Sequence, residues 1–303
     1  LGLEDDVPDH STFSVNRHGR FRDGDVFRRI FDRIVRQCMD AGLVKGEGFA
    51  VDASVIEADA SRFQRVEGSE IDWSEEQQAS RAVQEYVMAL ESENPPPNPG
   101  RKPKALSPSD PSAAWTSRGR NKVMFGYSLN YLIDMENAVI VDVEATPTRI
   151  SKEVEATETM IERTEQRFGL KPDHLAGDVA YGTGKMLGWL VERGIEPHVP
   201  VWDKSKRTDG TFSRADFTYD EDRDVYSCPR GNILKTTGNV HEDTLRYLAK
   251  TRDCRTCPLK EQCCPNTTYR KVPRDINEDA RDYVRALAKT KAFKISSDER
   301  KKV

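Results

Sequence analysis

Two aspartates stand out in this sequence by their setting. Asp52 lies in Gly48-Phe-Ala-Val-Asp-Ala-Ser-Val-Ile56, a short and mostly apolar run that reads as a strand, and Asp178 closes a second strand pattern, His174-Leu-Ala-Gly-Asp178. This reading puts both acids at the ends of buried strands, where an ionised carboxylate is costly unless a cation offsets its lost hydration. Two of them on neighbouring strands also repel at close range. A divalent cation relieves both costs, and hard oxygen ligands suit Mg2+ or Mn2+. Two such ions can activate water and stabilise the leaving oxygen in phosphodiester cleavage. The plainer alternative is that each Asp caps a turn.

Sulfur offers a second constellation. Cys254-x-x-Cys257 is followed by Cys263 and Cys264, with Cys228-Pro upstream, so thiolates at 228, 254, 257 and 263 have spacing that a tetrahedral structural Zn2+ could use. The closing Cys-x5-Cys is looser than a usual second knuckle, and free thiols are the alternative. Cys38 falls on an apolar helix face and reads as core. The five histidines form no His-x3-His or Cys-His pair, and His10 and His198 read as ordinary polar residues beside turns. Gly182-Thr-Gly184 follows a strand but lacks the rest of a nucleotide fingerprint.

Several elements must position these residues. Between Gly24 and Leu43, the residues Val26, Phe27, Ile30, Phe31, Ile34, Val35, Cys38 and Met39 recur at helical spacing, with Gly42 at the end. Residues 74–92 read as a helix capped by Ser74 with Gln77 completing a capping box, and Asn94-Pro-Pro-Pro-Asn-Pro-Gly100 as a stiff loop tip. Alternation over Phe125–Ile133 and Ala138–Glu144, joined by Asp134–Asn137, predicts an antiparallel hairpin. A helix from Ser151 to Gly169, the Asp178 strand, a helix over Lys185–Arg193 and a short strand Glu196–Val201 follow. A helix resumes near Asn277, with Tyr283, Val284 and Leu287 on its inner face. The expected fold is α/β, a mixed sheet with helices interrupted by two polar insertions. Its parts are a helical remnant over 1–47, a core over 48–202 carrying an insertion at 62–114, a loop-rich cysteine-containing insertion over 203–276, and a helical region over 277–303.

A chain of 303 residues with 32% charged residues and a mean hydropathy of -0.72 is polar for a globular protein. No apolar run approaches the ~18 residues of a membrane helix, and Leu1–Asp9 lacks the pattern of a signal peptide. The net charge of -4 conceals segregation. Residues 123–202 hold 7 basic groups against 13 acidic, whereas 246–303 hold 16 against 8. The stretch from Arg101 to Lys122 adds Arg101, Lys102, Lys104, Arg118, Arg120 and Lys122 against Asp110 alone. Basic patches beside an acidic pocket suit a protein that grips phosphate and binds metal elsewhere, so these residues, with Lys289, Lys291 and Arg300, are the expected DNA contacts. Arg17, Arg20, Arg22, Arg28 and Arg29 are interspersed with acids and read as a solvated helix face.

The strand order, with one acid on the first strand and one on the fourth, resembles the ribonuclease-H-like fold. The words Val51-Asp-Ala-Ser54, Gly177-Asp-Val-Ala-Tyr-Gly182, Asp9-His-Ser-Thr-Phe13, Gly126-Tyr-Ser-Leu-Asn130 with Ile133-Asp134, and Cys254-Arg-Thr-Cys-Pro-Leu-Lys260 are similar to those of the DDE transposases of bacterial insertion sequences. The branch resembled carries a cysteine-bearing insertion before its last catalytic helix. The resemblance runs from about Val7 to Val303. It implies metal-dependent DNA cleavage and strand transfer at element ends, with Asp52 and Asp178 as the first two members of an acidic triad. The partners implied are double-stranded DNA, as terminal repeats and target, and a second copy of the chain in a homodimeric DNA complex. The setting implied is the prokaryotic cytoplasm and nucleoid, with no membrane.

The third acid should lie in a Tyr, two residues, Arg, three residues, Glu pattern. With Arg300 as the Arg and Ser297 in place of the Tyr, the Glu falls on the residue after Val303. Asp298 and Glu299 are out of register for it. Together with Leu1 in place of an initiator Met, this leads us to expect a piece cut at both ends and inactive by itself. The alternatives are a catalytically dead DNA-binding remnant, and a ribonuclease-H-like DNA nuclease that cleaves without joining.

Overall fold

The computed structural model describes residues 11–12, 15–16, 19–21, 24–70, 103–118, 122–147, 150–203 and 209–303. The helix expected over 74–92, the Asn94–Gly100 loop tip, and Arg17, Arg22, Arg101, Lys102 and Arg120 lie outside these residues.

A helix, α1 (Val26–Asp40), leads into β1 (Gly48–Glu57). Two short strands, β2 (Val66–Glu67) and β3 (Ala105–Leu106), pair with one another before β4 (Ala114–Arg118), β5 (Lys122–Asp134) and β6 (Val139–Pro147). Then come α2 (Ile150–Phe168), β7 (His174–Ala176), a 3-10 turn over Val179–Tyr181, α3 (Gly184–Glu192) and β8 (Glu196–His198). β1 pairs antiparallel with β5 and parallel with β7, β7 pairs parallel with β8, and β6 pairs antiparallel with the far side of the hairpin strand β5. This is the α/β, ribonuclease-H-like mixed sheet that the strand order predicts. β4, which joins the end of β5 in register from Ala114 opposite Gly126 to Arg118 opposite Lys122, is a strand that the basic composition of 101–122 concealed.

The sheet forms because its inward positions are apolar at period two. Phe49, Val51, Leu132, Val141 and Leu175 are buried against Met160 and Ile161 of α2 and Met186, Leu187 and Leu190 of α3. The helix stops fall where glycine supplies a left-handed residue: Gly42, Gly169 and Gly194 all have positive φ. The apolar stripe expected on α1 is only partly inward. Val35 is buried and Phe31, Cys38 and Met39 pack beside it, whereas Phe27, Ile30 and Ile34 are exposed. The solvated face expected for Arg28 is corrected too: with Arg163 of α2 it pairs with the buried Asp142 of β6, fixing both helices to the sheet.

Residues 203–276 depart most from expectation. In place of a loop-rich segment, β9 (Thr218–Asp220), β10 (Val225–Ser227), β11 (Ile233–His241), β12 (Thr244–Leu248) and β13 (Lys271–Asp275) form a five-stranded antiparallel sheet. Two short helices, α4 (Thr251–Arg255) and α5 (Lys260–Cys263), cross between β12 and β13. The sheet has its own core of Phe217, Tyr226, Leu234, Tyr247 and Val272. Hydropathy undervalues it because tyrosines carry much of the apolar area. Their hydroxyls are satisfied locally: Tyr219 and Tyr247 donate to Asp224, and Arg274 donates to Tyr226 while its guanidinium stacks 3.8 Å from the Tyr219 ring centroid.

The chain then returns to the first sheet through α6 (Glu278–Leu287) and α7 (Lys291–Glu299). Glu278 is 1% exposed and sits among three guanidiniums, Arg214 at 2.7 Å, Arg281 at 3.1 Å and Arg285 at 2.7 Å. Arg214 precedes the second sheet and the other two lie on α6, so one buried carboxylate joins the two parts of the molecule. Glu278→Ala leaves three arginines facing a buried gap and should cost about 3–5 kcal/mol. Chemical denaturation checks this, and a loss below about 1 kcal/mol would contradict the clamp.

Candidate active site at the Asp52–Asp178 strand edge

The parallel pairing of β1 with β7 runs only from Gly48 opposite His174 to Ala50 opposite Ala176. Asp52 and Asp178 each lie two residues past the end of that pairing, and the charges of both are felt at Tyr181, so the two acids share one neighbourhood at the end of the ladder. Asp52 is not at a strand end, as the sequence suggests, but in the middle of β1, which continues beside β5 to Glu57. It is exposed and Asp178 is half-buried, because β7 no longer covers that edge. The desolvation cost expected for two buried acids is therefore small.

Each acid is anchored through one oxygen. Asp52 Oδ1 accepts from the Ala53 amide at 2.9 Å, and Asp178 Oδ1 caps the 3-10 turn by accepting from the Ala180 amide at 2.7 Å. The second oxygen of each has no hydrogen bond within the described residues. Among those residues, no three His, Cys, Asp or Glu side chains are arranged to hold a metal ion. Two carboxylates with free oxygens still fit Mg2+ or Mn2+, which retain water and commonly take one or two protein carboxylates beside substrate phosphate.

Other residues around this edge were not singled out from the sequence. Tyr181 is 2% exposed, and its hydroxyl has no hydrogen-bond partner. Burial first, then the charges of Glu153, Asp52 and Asp178, hold its pKa well above the ordinary phenol range, while Arg300 acts in the opposite sense. Tyr181 is thus a buried phenol within electrostatic reach of three carboxylates. Glu153, in the first turn of α2, is half-buried and accepts from Ser128 Oγ at 2.7 Å. A first-turn acid suits any helix dipole, so the sequence offered no reason to mark it.

Arg300, one of the expected basic set, lies near enough for its charge to be felt at Tyr181. Glu299 lines a cleft with Gly48, Asp134 and His174, at the opposite end of the β1–β7 pairing. That position removes it as a partner of Asp52. Lys104, Lys289 and Lys291 are exposed, and Arg118 is opposite Lys122 in the backbone register of β4 with β5. The basic surplus of 246–303 is partly internal. Arg270 donates to the carbonyls of Cys263 and Phe212, Arg274 pairs with Asp279, and Arg281 and Arg285 hold Glu278. His198, expected to be an ordinary polar residue, is buried between His174 and Phe293.

The expected zinc set gains no support: among the described residues no three His, Cys, Asp or Glu side chains are grouped to hold a metal, and Cys254 and Cys263 each lie near Cys264, which the spacing did not mark. Burial first, then the neighbouring Cys264, push the Cys263 thiol up to about 12, and a bound zinc ion would have to displace that proton. Cys263 and Cys264 are core side chains of the second sheet. Elemental analysis of protein purified without chelator decides the matter: about one equivalent of zinc is what a four-thiolate site would bind, and less than about half an equivalent would end that reading.

Residues 45–283 match the model of a family described as "Transposase DDE domain". Comparison with curated proteins and with solved structures returns no match.

Proposed function

The chain belongs to the DDE transposase domain family, and from that premise we propose that Asp52 and Asp178 hold the divalent cation of a DNA strand-cleavage and strand-transfer centre acting at insertion-sequence ends. The observation that supports this reading is that Asp52 and Asp178 lie just past the end of the β1–β7 pairing, each with an oxygen that accepts no hydrogen bond among the described residues. Mg2+ or Mn2+, when bound, supplies Lewis-acid stabilisation of the charge that develops on phosphate oxygens. The chain's own part is positional. The amides of Ala53 and Ala180 each fix one carboxylate oxygen and leave the other turned to the ligand. The half-buried Arg300 places a positive charge within reach of Tyr181, where it favours the approach of a phosphodiester.

DNA recognition by exposed Lys104, Lys289 and Lys291 is part of the same proposal, as is a homodimeric arrangement on DNA. Phosphate contacts make affinity salt-dependent. Binding to duplex DNA should weaken steadily as salt rises from about 50 to 200 mM, with a slope reduced by about one for each lysine replaced. A flat dependence, measured by fluorescence anisotropy, would remove the assignment.

The activity is tested by joining of labelled element ends to a plasmid target in Mg2+ or Mn2+, using the full-length protein. Joined product that falls to background in Asp52→Asn and in Asp178→Asn is the expected result. Cleavage without joining would favour a nuclease, and activity unaffected by both substitutions would overturn the assignment of the site.

A further inference from the structure

We infer that Glu153 is an outer carboxylate of the Asp52–Asp178 centre, positioned to accept a hydrogen bond from a water that the Tyr181 hydroxyl also holds. This rests on the reading of the two aspartates given above and adds two residues to it. Three observations converge. Glu153 lies in the first turn of α2, which packs against the 3-10 turn that follows Asp178. Its carboxylate does not rotate freely, because the fully buried Ser128 donates to Oε1 at 2.7 Å. The Tyr181 hydroxyl is buried, unpartnered, and within electrostatic reach of Glu153, Asp52 and Asp178.

An orphaned buried hydroxyl costs free energy unless a ligand completes it. Tyr181 stays neutral, so toward anionic surroundings it acts as a donor, and carboxylates can only accept. A water can bridge such a donor and such an acceptor and pass the orientation of one to the other. Glu153 then supplies a third negative charge near the cation without being one of its direct ligands, consistent with the lack of a three-ligand group among the described residues. Partners of this outer kind commonly change metal affinity or activity by about 10–100-fold. The design is economical: Ser128 orients Glu153, Glu153 and Tyr181 orient a water, and the two aspartates keep their free oxygens for the ion and the DNA phosphate.

The test is Mn2+ affinity, read by electron paramagnetic resonance of free Mn2+ in full-length protein, alongside the thermal midpoint without metal. Glu153→Gln should raise the dissociation constant about 10-fold and Tyr181→Phe by a smaller factor, with both metal-free midpoints close to that of the parent. Glu155→Gln, two residues along α2 and paired with Lys152, removes the same charge away from the centre and should leave affinity unchanged. Equal losses in Glu155→Gln and Glu153→Gln would overturn the inference in favour of general electrostatics. Unchanged affinity in Glu153→Gln, with binding lost in Asp52→Asn, would overturn the inference and leave the aspartate site standing. Mn2+ bound as tightly by Asp52→Asn as by the parent would instead remove the aspartate reading itself. Should Glu153→Gln fail to fold, Ser128→Ala frees the carboxylate without deleting it. A loss of affinity there supports the inference, and an unchanged value overturns it.

Discussion

The shortness of the β1–β7 ladder is the constraint on which the rest of the site depends. Pairing stops at Ala50 and Ala176, so the chain after β7 turns away while β1 continues beside β5. Had β7 run on, Asp52 and Asp178 would be level inside a covered sheet, with hydration lost on both. Ending the ladder two residues earlier leaves Asp52 exposed and Asp178 half-buried. The turn that ends it leaves no room for a side chain at Gly182, where an added Cβ would lie 1.9 Å from the Pro200 carbonyl oxygen. That close approach allows the 3-10 turn to fold back, with Asp178 as its cap and Tyr181 tucked beneath.

What the site lacks in burial it makes up in arrangement. Two acids side by side repel, and Glu153 adds a third negative charge in the neighbourhood. Arg300 is a positive charge felt at Tyr181, but a half-buried guanidinium cannot offset three carboxylates. On the proposed reading the arrangement favours a cation, and the backbone amides of Ala53 and Ala180 each fix one oxygen of a carboxylate. Elsewhere, among the described residues, two buried acids are neutralised within the fold: Asp142 takes two arginines and Glu278 takes three.

Much of the core was legible because its elements carry strong local signals. The hairpin of β5 and β6, the helices closed by Gly169 and Gly194, and the two aspartate strands all follow from periodicity and stop residues. The antiparallel sheet over 218–275 was not legible. Its strands are as short as three residues, and tyrosine, whose ring packs while its hydroxyl finds Asp224 or Arg274, does not register as apolar. Charge counting misled in a related way. Arg270, Arg274, Arg281 and Arg285 appear in sequence as part of a basic run, yet each is spent inside the fold. Cysteine spacing suggested one ligand set but gave no reason to mark Cys264, which the turn of α5 brings near Cys254. Glu153 and Tyr181 are ordinary residues in their own segments, and only the packing of α2 on the turn after Asp178 brings them to the aspartates.

The central claim is that Asp52 and Asp178 share one cation. Crystals of the full-length protein soaked in Mn2+, with diffraction recorded at the manganese absorption edge, test it most directly. An anomalous peak between the two carboxylates, within about 2.0–2.6 Å of an oxygen from each, is the result expected. A peak on one aspartate alone, or at saturating Mn2+ only at other residues, would contradict the account.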